Sequence, residues 1–268
     1  MTCGSPAAAT THADDLARAF YVDALLQLSG ANIPFLVGGA FAFAHHTGIE
    51  RDTKDLDVHL RPQDVSRALG LFRSLGYRVD LPYPHWLAKV HHGSHFIDLL
   101  FSSGNGVARV DNRWFDRTVE HEVLGVTVRL CPPEEMIWSK AFVQERERFD
   151  GADVLHLIRR FGASLDWERV LDRFGEYWRV LFSHIVLFGF VYPNQRHQIP
   201  TWVVDKLTRR FVAEQPEPKN YVCYGTLLSR EQYLYDITDL NYADARIPPV
   251  GRMTPHDIEI WQAAIGER

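Results

Sequence analysis

An α+β architecture, with strands and flanking helices in the first half and a mostly α-helical second half, is predicted by three observations. Short apolar runs of strand length, Phe35-Leu36-Val37 and Leu56 to Leu60, follow a proline or precede one. Further β-patterned runs up to Leu130 are separated by Gly/Ser/Asn turns such as Ser102-Ser103-Gly104-Asn105-Gly106. Beyond Pro132-Pro133 the apolar residues recur at helical spacing instead. The expected division is therefore a first domain over 1–131 and a helical domain over 132–268, with an irregular tail from about 214.

Each element has its own signal. Residues 14–29 carry the 3.6-residue apolar period, with Leu16, Phe20, Ala24, Leu25 and Leu28 on one side. Pro34 leads into a short buried strand at 35–37, Gly38-Gly39 makes the turn, and 40–46 reads as a helix. Residues 55–60 form a second strand. Pro62 sits in the first turn of a helix with apolar points at Leu69, Leu71, Phe72 and Leu75. Strands are expected at 78–81, 86–91, 95–101 and 123–130, then helices at about 133–147, 150–161, 166–190 with a break at Gly175, and 200–213. Pro and Glu at 213–220 read as a linker, and the chain from Tyr221 has no clear period and is expected to wrap back over the body.

Bulk composition narrows the class of protein. With 268 residues, 46% of them hydrophobic, the chain can bury one large core or two modest ones. A formal net charge of −5 argues against a broad electrostatic hold on nucleic acid, although it leaves room for a local basic groove. Cys3, Cys131 and Cys223 lie far apart without Cys-x-x-Cys spacing, so neither a disulfide framework nor a thiolate metal site is indicated. The amino-terminal residues are small and polar, and no run of 18 apolar residues occurs; the expectation is a cytoplasmic protein with no membrane partner.

The chemistry concentrates at Asp55-Leu56-Asp57. A strand's period of two puts both carboxylates on one face, and two crowded anions repel unless a cation joins them. Mg²⁺, or Mn²⁺ in its place, takes oxygen ligands and is commonly held by one or two carboxylates together with substrate phosphates. Gly38 and Gly39 lack a Cβ and precede a helix, so main-chain amides there can approach a phosphate. The same glycines also suit a strand-to-helix turn on steric grounds alone. Asp98 stands as a lone charge among Phe96, Ile97, Leu99, Leu100 and Phe101, which makes it a candidate third carboxylate or a member of a structural ion pair. His91, His92 and His95 make a poor zinc set, because neighbouring strand residues face opposite ways and Gly93-Ser94 intervenes.

The order Gly-Gly, helix, Arg51-x-Thr53-x-Asp55-x-Asp57-Val58, then a lone Asp98 on a later apolar strand, resembles the nucleotidyltransferase superfamily, whose fold is shared with DNA polymerase β. It looks most like the abortive-infection-type toxin and antibiotic nucleotidyltransferase branches. The resemblance covers about residues 33–101 and implies a nucleotidyltransferase-like mixed β-sheet flanked by helices. It further implies that Asp55, Asp57 and Asp98 are catalytic and bind the metal, Asp98 serving also as base toward an incoming hydroxyl. Gly38 and Gly39 would contact nucleotide phosphate, with Arg51, Thr53 and Lys54 on the approach and Lys140 neutralising triphosphate charge. Arg51 and Thr53 could equally shape the loop, and Lys140 could be a solvated helix residue. The distance from Gly39 to Asp55 exceeds that of minimal members of the superfamily.

The implied activity is Mg²⁺-dependent transfer of a nucleoside monophosphate from an NTP such as ATP to a hydroxyl or phosphate of a small molecule, RNA or protein. Two other readings use the same residues: a catalytically silent nucleotide- or partner-binding regulator, and a metal-dependent phosphohydrolase. Residues 133–268 carry no motif that identifies the acceptor. The charged segment 146–160 is similar to a helical region that packs against the active-site cleft in the toxin and antibiotic branches, so the resemblance implies that place for it; a solvated helical face is the other reading.

Overall fold

The structure, a computed structural model, describes residues 6–53, 55–215, 217, 220–263 and 265, with side chains from residue 15 onward. The chain divides into two compact units. One comprises the residues up to Ala44, Glu50–Phe101 and Val110–Cys131; the other comprises His45–Ile49, Ser102–Arg109 and the chain from Pro132.

The first unit is a seven-stranded mixed sheet with helices against it. Its strands are β1 (Phe35–Val37), β2 (Asp55–Leu60), β3 (Arg78–Tyr83), β4 (Leu87–His92), β5 (His95–Leu100), β6 (Val119–Val123) and β7 (Val126–Leu130), in the order β3-β4-β5-β2-β1-β7-β6. β2 runs antiparallel to β1 and parallel to β5, and β1 runs parallel to β7. Helix α1 (Pro6–Gly30) contacts β5 and β7 through a buried stripe of Phe20, Tyr21, Ala24, Leu25 and Leu28. Leu16, one turn earlier on the same stripe, is exposed. Helix α2 (Gly39–Thr47) follows β1 directly, and α3 (Pro62–Ser74) begins with Pro62 at its first turn and packs on β3.

Strand β2 lies in the middle of the sheet, and this decides what its two faces do. Leu56, Val58 and Leu60 are fully buried on one face. Removing each of these side chains from water contributes roughly 1.5–3 kcal/mol, which locks the register, since a slip of one residue would turn all three outward. Asp55, Asp57 and His59 are thereby forced onto the other, half-buried face. The run at 123–130, expected as one strand, is instead the end of β6, a turn and β7. Leu124 and Gly125 take φ values of 56° and 90°, and positive φ at both central residues is the signature of a two-residue hairpin turn. Apolar alternation continues through that turn, which hides it in the sequence.

The second unit is mainly helical: α4 (Pro133–Lys140), α5 (Gly151–Phe161), α6 (Trp167–Phe174), α7 (Trp178–Val191) and α8 (Thr201–Ala213). Helix α4 ends seven residues before the expected 147. There the chain folds into a tight loop in which the Glu145 amide donates to the Arg148 carbonyl and Gln144 bridges Phe149. Gly175, at φ 49°, separates α6 from α7, the break its composition predicts. The tail adds β8 (Val222–Cys223) and β9 (Ala243–Asp244), a two-residue parallel pair, and helices α9 (Leu234–Thr238) and α10 (Pro255–Ala263). It is tied into its own unit by the Asn105 Nδ2–H donating to the Leu227 carbonyl at 2.7 Å and by Trp261, which sits against Gly104. No helix among the described residues is long and apolar enough to cross a membrane.

His184 on α7 is buried and lies 2.9 Å through Nε2 from the Ala141 carbonyl. Burial pushes its pKa below the ordinary value, outweighing the hydrogen bond that favours the charged ring. Below about pH 6.5 the unfolded chain therefore takes up a proton that the folded chain refuses, and stability falls as pH falls, by up to about 1.4 kcal/mol per pH unit from this group. His184→Gln, which keeps a donor for Ala141, is expected to flatten that part of the slope. Urea unfolding of both proteins at pH 7.5, 6.5 and 5.5 checks it; parallel slopes would exclude His184 as the source.

Candidate active site

The parallel pairing of β2 with β5 places Asp57 directly opposite Asp98, with Asp55 two residues along β2 on the same face. Carboxylate oxygens of Asp55, Asp57 and Asp98 all lie within 4.8 Å of one another. Asp57 and Asp98 are 41 positions apart in the chain, yet the register makes them neighbours. Three carboxylates this close, each partly screened from water, repel strongly. Their all-oxygen donor set fits a hard divalent cation such as Mg²⁺ or Mn²⁺ and is unsuited to the nitrogen and sulfur preferences of zinc.

The glycine pair shapes the space above Asp57. Gly39 has φ 51°, and a Cβ at that position would overlap the Asp57 Oδ2 atom. Only glycine satisfies both the backbone conformation and the contact. Gly38 is likewise closed in, by the His59 ring, which in turn stacks on Trp114 with ring centroids 5.3 Å apart. The Gly38 N–H donates to the Asp57 carbonyl at 2.9 Å, so it extends the β1–β2 ladder. Gly39 and the residues after it open α2, and the first-turn amides of a helix have no intrahelical partners and can take an anion.

Two side chains with no motif to mark them bear on the carboxylates. Lys89 lies opposite Asp98 in the β4–β5 pairing, and its Nζ stands 2.6 Å from Asp98 Oδ1. The signal for it was available: Lys89 is a lone charge between Ala88 and Val90 in an apolar strand, as Asp98 is in its own. Tyr21 on α1 is the other. Its hydroxyl pKa is pushed up to about 12, first by burial and then by the charges of Asp55 and Asp98. Nothing in the sequence marks a helical tyrosine for this position. The Asp98 carboxyl is itself raised above the ordinary carboxylate range, chiefly by burial, with Lys89 pulling it down and Asp55 adding to the rise.

The remaining residues singled out from the sequence separate into distinct places. Thr53 Oγ1 lies 2.8 Å from Asp55 Oδ1 and 3.0 Å from the Asp55 carbonyl, so its one proton steadies the start of β2. The Arg51 guanidinium rests over the Phe43 ring at 4.4 Å. Lys54 lies outside the described residues. Lys140, in the helical unit, is held between Asp150 at 2.9 Å and Asp153 at 2.8 Å. Asp150 stands at the N-terminus of α5 without capping it; its carboxylate bonds Lys140 and Arg148 instead. Burial opposes ionisation of Asp150, but Arg148 and Lys140 outweigh it and hold the carboxyl below its ordinary range.

No protein-family model matches this chain, and no curated protein sequence matches it. Among solved structures it is similar to nucleotidyltransferases. The solution structure of the antibiotic-resistance factor ANT(2'')-Ia is 19% identical, aligned over 64% of this chain and 97% of that one, with a TM-score of 0.44. The lincomycin-bound lincosamide antibiotic adenylyltransferase LnuA is 15% identical over 52% of this chain and 94% of that one, with a TM-score of 0.37. An antigenic nucleotidyltransferase-like protein from Paracoccidioides brasiliensis is 17% identical over 63% and 92%, with a TM-score of 0.35. All three are distant likenesses, and the chemistry rests on this chain's own carboxylates and glycine turn.

Proposed function

We propose that this chain is a divalent-metal-dependent nucleotidyltransferase of the polymerase-β-like superfamily, moving a nucleoside monophosphate from an NTP to a hydroxyl or phosphate acceptor: the acceptor oxygen bonds the α-phosphorus as the bond to the β-phosphate breaks and pyrophosphate leaves. The observation that carries this reading is the convergence of Asp55, Asp57 and Asp98 on adjacent strands, beneath a glycine turn that opens a helix. Mg²⁺, when held by these carboxylates, would neutralise phosphate charge and favour in-line displacement. The chain's own residues then divide the remaining work. Amides opening α2 bind phosphate oxygens, using the partial positive charge of the helix N-terminus. Thr53 keeps Asp55 oriented through its hydroxyl. Asp98 receives the proton of the acceptor hydroxyl, a role helped by a carboxyl raised above its usual range, because a stronger base takes a proton more readily. Lys140 acts in holding Asp150 and Asp153, and Arg51 lies on the loop that leads into β2.

The reading is tested by incubating the protein with Mg²⁺ and α-labelled ATP, CTP, GTP or UTP, with and without small hydroxylated compounds, RNA or protein. Label transferred to an acceptor is the expected result. Free labelled monophosphate would point to the phosphohydrolase, and nucleotide retention without turnover to the silent regulator. Asp98→Asn is expected to retain nucleotide binding while losing transfer; loss of binding together with transfer would make Asp98 a ligand or structural residue and remove it as the base.

A further inference from the structure

Across the sheet, pairing aligns Asp80, Lys89, Asp98 and Asp57 in one row on β3, β4, β5 and β2. Paired residues share a face, so the row alternates in charge until it reaches the carboxylate cluster. Lys89 has two cross-strand acidic neighbours and bonds only one of them. Its Nζ is 2.6 Å from Asp98 Oδ1 and 3.9 Å from the centre of the Phe96 ring, two residues before Asp98 on the same strand. Asp80 is engaged elsewhere, with His91 Nε2 at 2.9 Å and Arg78 at 3.6 Å. Both Lys89 and Asp98 are partly buried, with side chains 25% and 14% exposed, where an ion pair is screened far less than at the surface.

From this geometry we infer that Lys89 is a positioning residue for the proposed metal site: a built-in cation that holds Asp98 by one oxygen and offsets the repulsion among the three carboxylates before metal arrives. The inference rests on the nucleotidyltransferase reading of that site. Two consequences follow, and they have opposite signs. The metal-free protein is stabilised, because three crowded anions carry one fixed counter-charge. Metal affinity is held down, because the same ammonium repels an incoming divalent ion. Asp98 is left with Oδ2 as the oxygen that Lys89 does not occupy, which restricts how many directions its carboxylate can take.

A residue that only braces the sheet would move stability and metal affinity in the same direction when removed. Lys89→Met keeps the length of the side chain and loses the charge. It is expected to melt a few degrees lower when metal-free and to bind Mn²⁺ about tenfold more tightly, with kcat reduced more than KM changes. Lys89→Arg restores both properties toward wild type. Mn²⁺ calorimetry and thermal melts on chelator-stripped full-length protein read these effects without relying on turnover, and Lys89→Gln repeats the charge loss if the Met variant does not fold. Unchanged or weaker Mn²⁺ binding in a folded, uncharged variant overturns the positioning role while leaving the proposed activity standing. Wild-type protein that takes up no Mn²⁺ overturns the metal-dependent reading, and the inference with it.

Discussion

Asp57→Asn is expected to abolish divalent-cation binding and lower turnover by on the order of a thousandfold, while the metal-free protein folds as well as wild type or better. The substitution keeps the shape of a side chain that Gly39 has no Cβ to crowd, and it removes one of three crowded charges. Loss of metal-borne charge stabilisation is worth several kcal/mol in the transition state, and each 1.36 kcal/mol is about a factor of ten in rate. Stability moves the other way, because one of three mutually repelling negative charges leaves a partly buried cluster. Mn²⁺ calorimetry and a thermal melt of the metal-free protein test the two halves separately. Turnover equal to wild type in this variant would remove Asp57 from the site and sink the assignment.

The second large effect lies away from the carboxylates, in the helical unit. Glu135 on α4 is fully buried and accepts from Arg169 Nε at 3.0 Å and Nη2 at 2.6 Å, and from Arg173 Nε at 3.1 Å. Arg169 and Arg173 both come from α6, one turn apart, and are themselves buried. Arg173 also lies over the Trp138 ring at 5.0 Å. Glu135→Ala strips the anion from two buried guanidinium groups, and breaking a buried pair in this way costs about 3–5 kcal/mol. For a domain whose whole stability is about 5–15 kcal/mol, that brings the protein near unfolding. The triple change Glu135→Met, Arg169→Leu, Arg173→Met is expected to recover most of the loss, since no charge remains to be desolvated. Urea unfolding of the single and triple variants tells charge from packing: if both are equally destabilised, the lost interaction is steric.

Much of the site can be read from the chain without its fold. Asp55 and Asp57 are two residues apart in an alternating apolar run, and that spacing alone puts them on one face. Asp98 announces itself as a charge in an apolar strand, where a partner is required. Gly38-Gly39 between a strand and a helix marks a close approach, and the structure shows Asp57 as the group that Gly39 admits. The fold class follows from the same local periods: a mixed sheet flanked by helices, then a mainly helical region.

Other features stayed hidden because their cause is not local. The Leu124-Gly125 turn interrupts no apolar alternation, so β6 and β7 read as one strand until pairing separates them. Helix α4 ends at Lys140 where the loop Gln144–Phe149 closes and Asp150 and Asp153 draw the lysine in. Lys140 has the composition of a phosphate contact or of a solvated helix residue, and its two carboxylate partners lie beyond the next loop. Glu135 carries no sign of its two arginines, 34 and 38 residues away.

By itself, then, the sequence determined which side chains share a strand face and which charges stand in apolar surroundings, because periods of 2 and 3.6 residues are properties of the backbone near each residue. The tertiary structure alone decided who meets whom. Asp57 faces Asp98, Asp98 is held by Lys89, and Tyr21 on α1 feels the charges of Asp55 and Asp98, because strand order and register bring distant segments together. Register is set by the summed burial of every apolar face in the sheet, and no short stretch of sequence contains that sum.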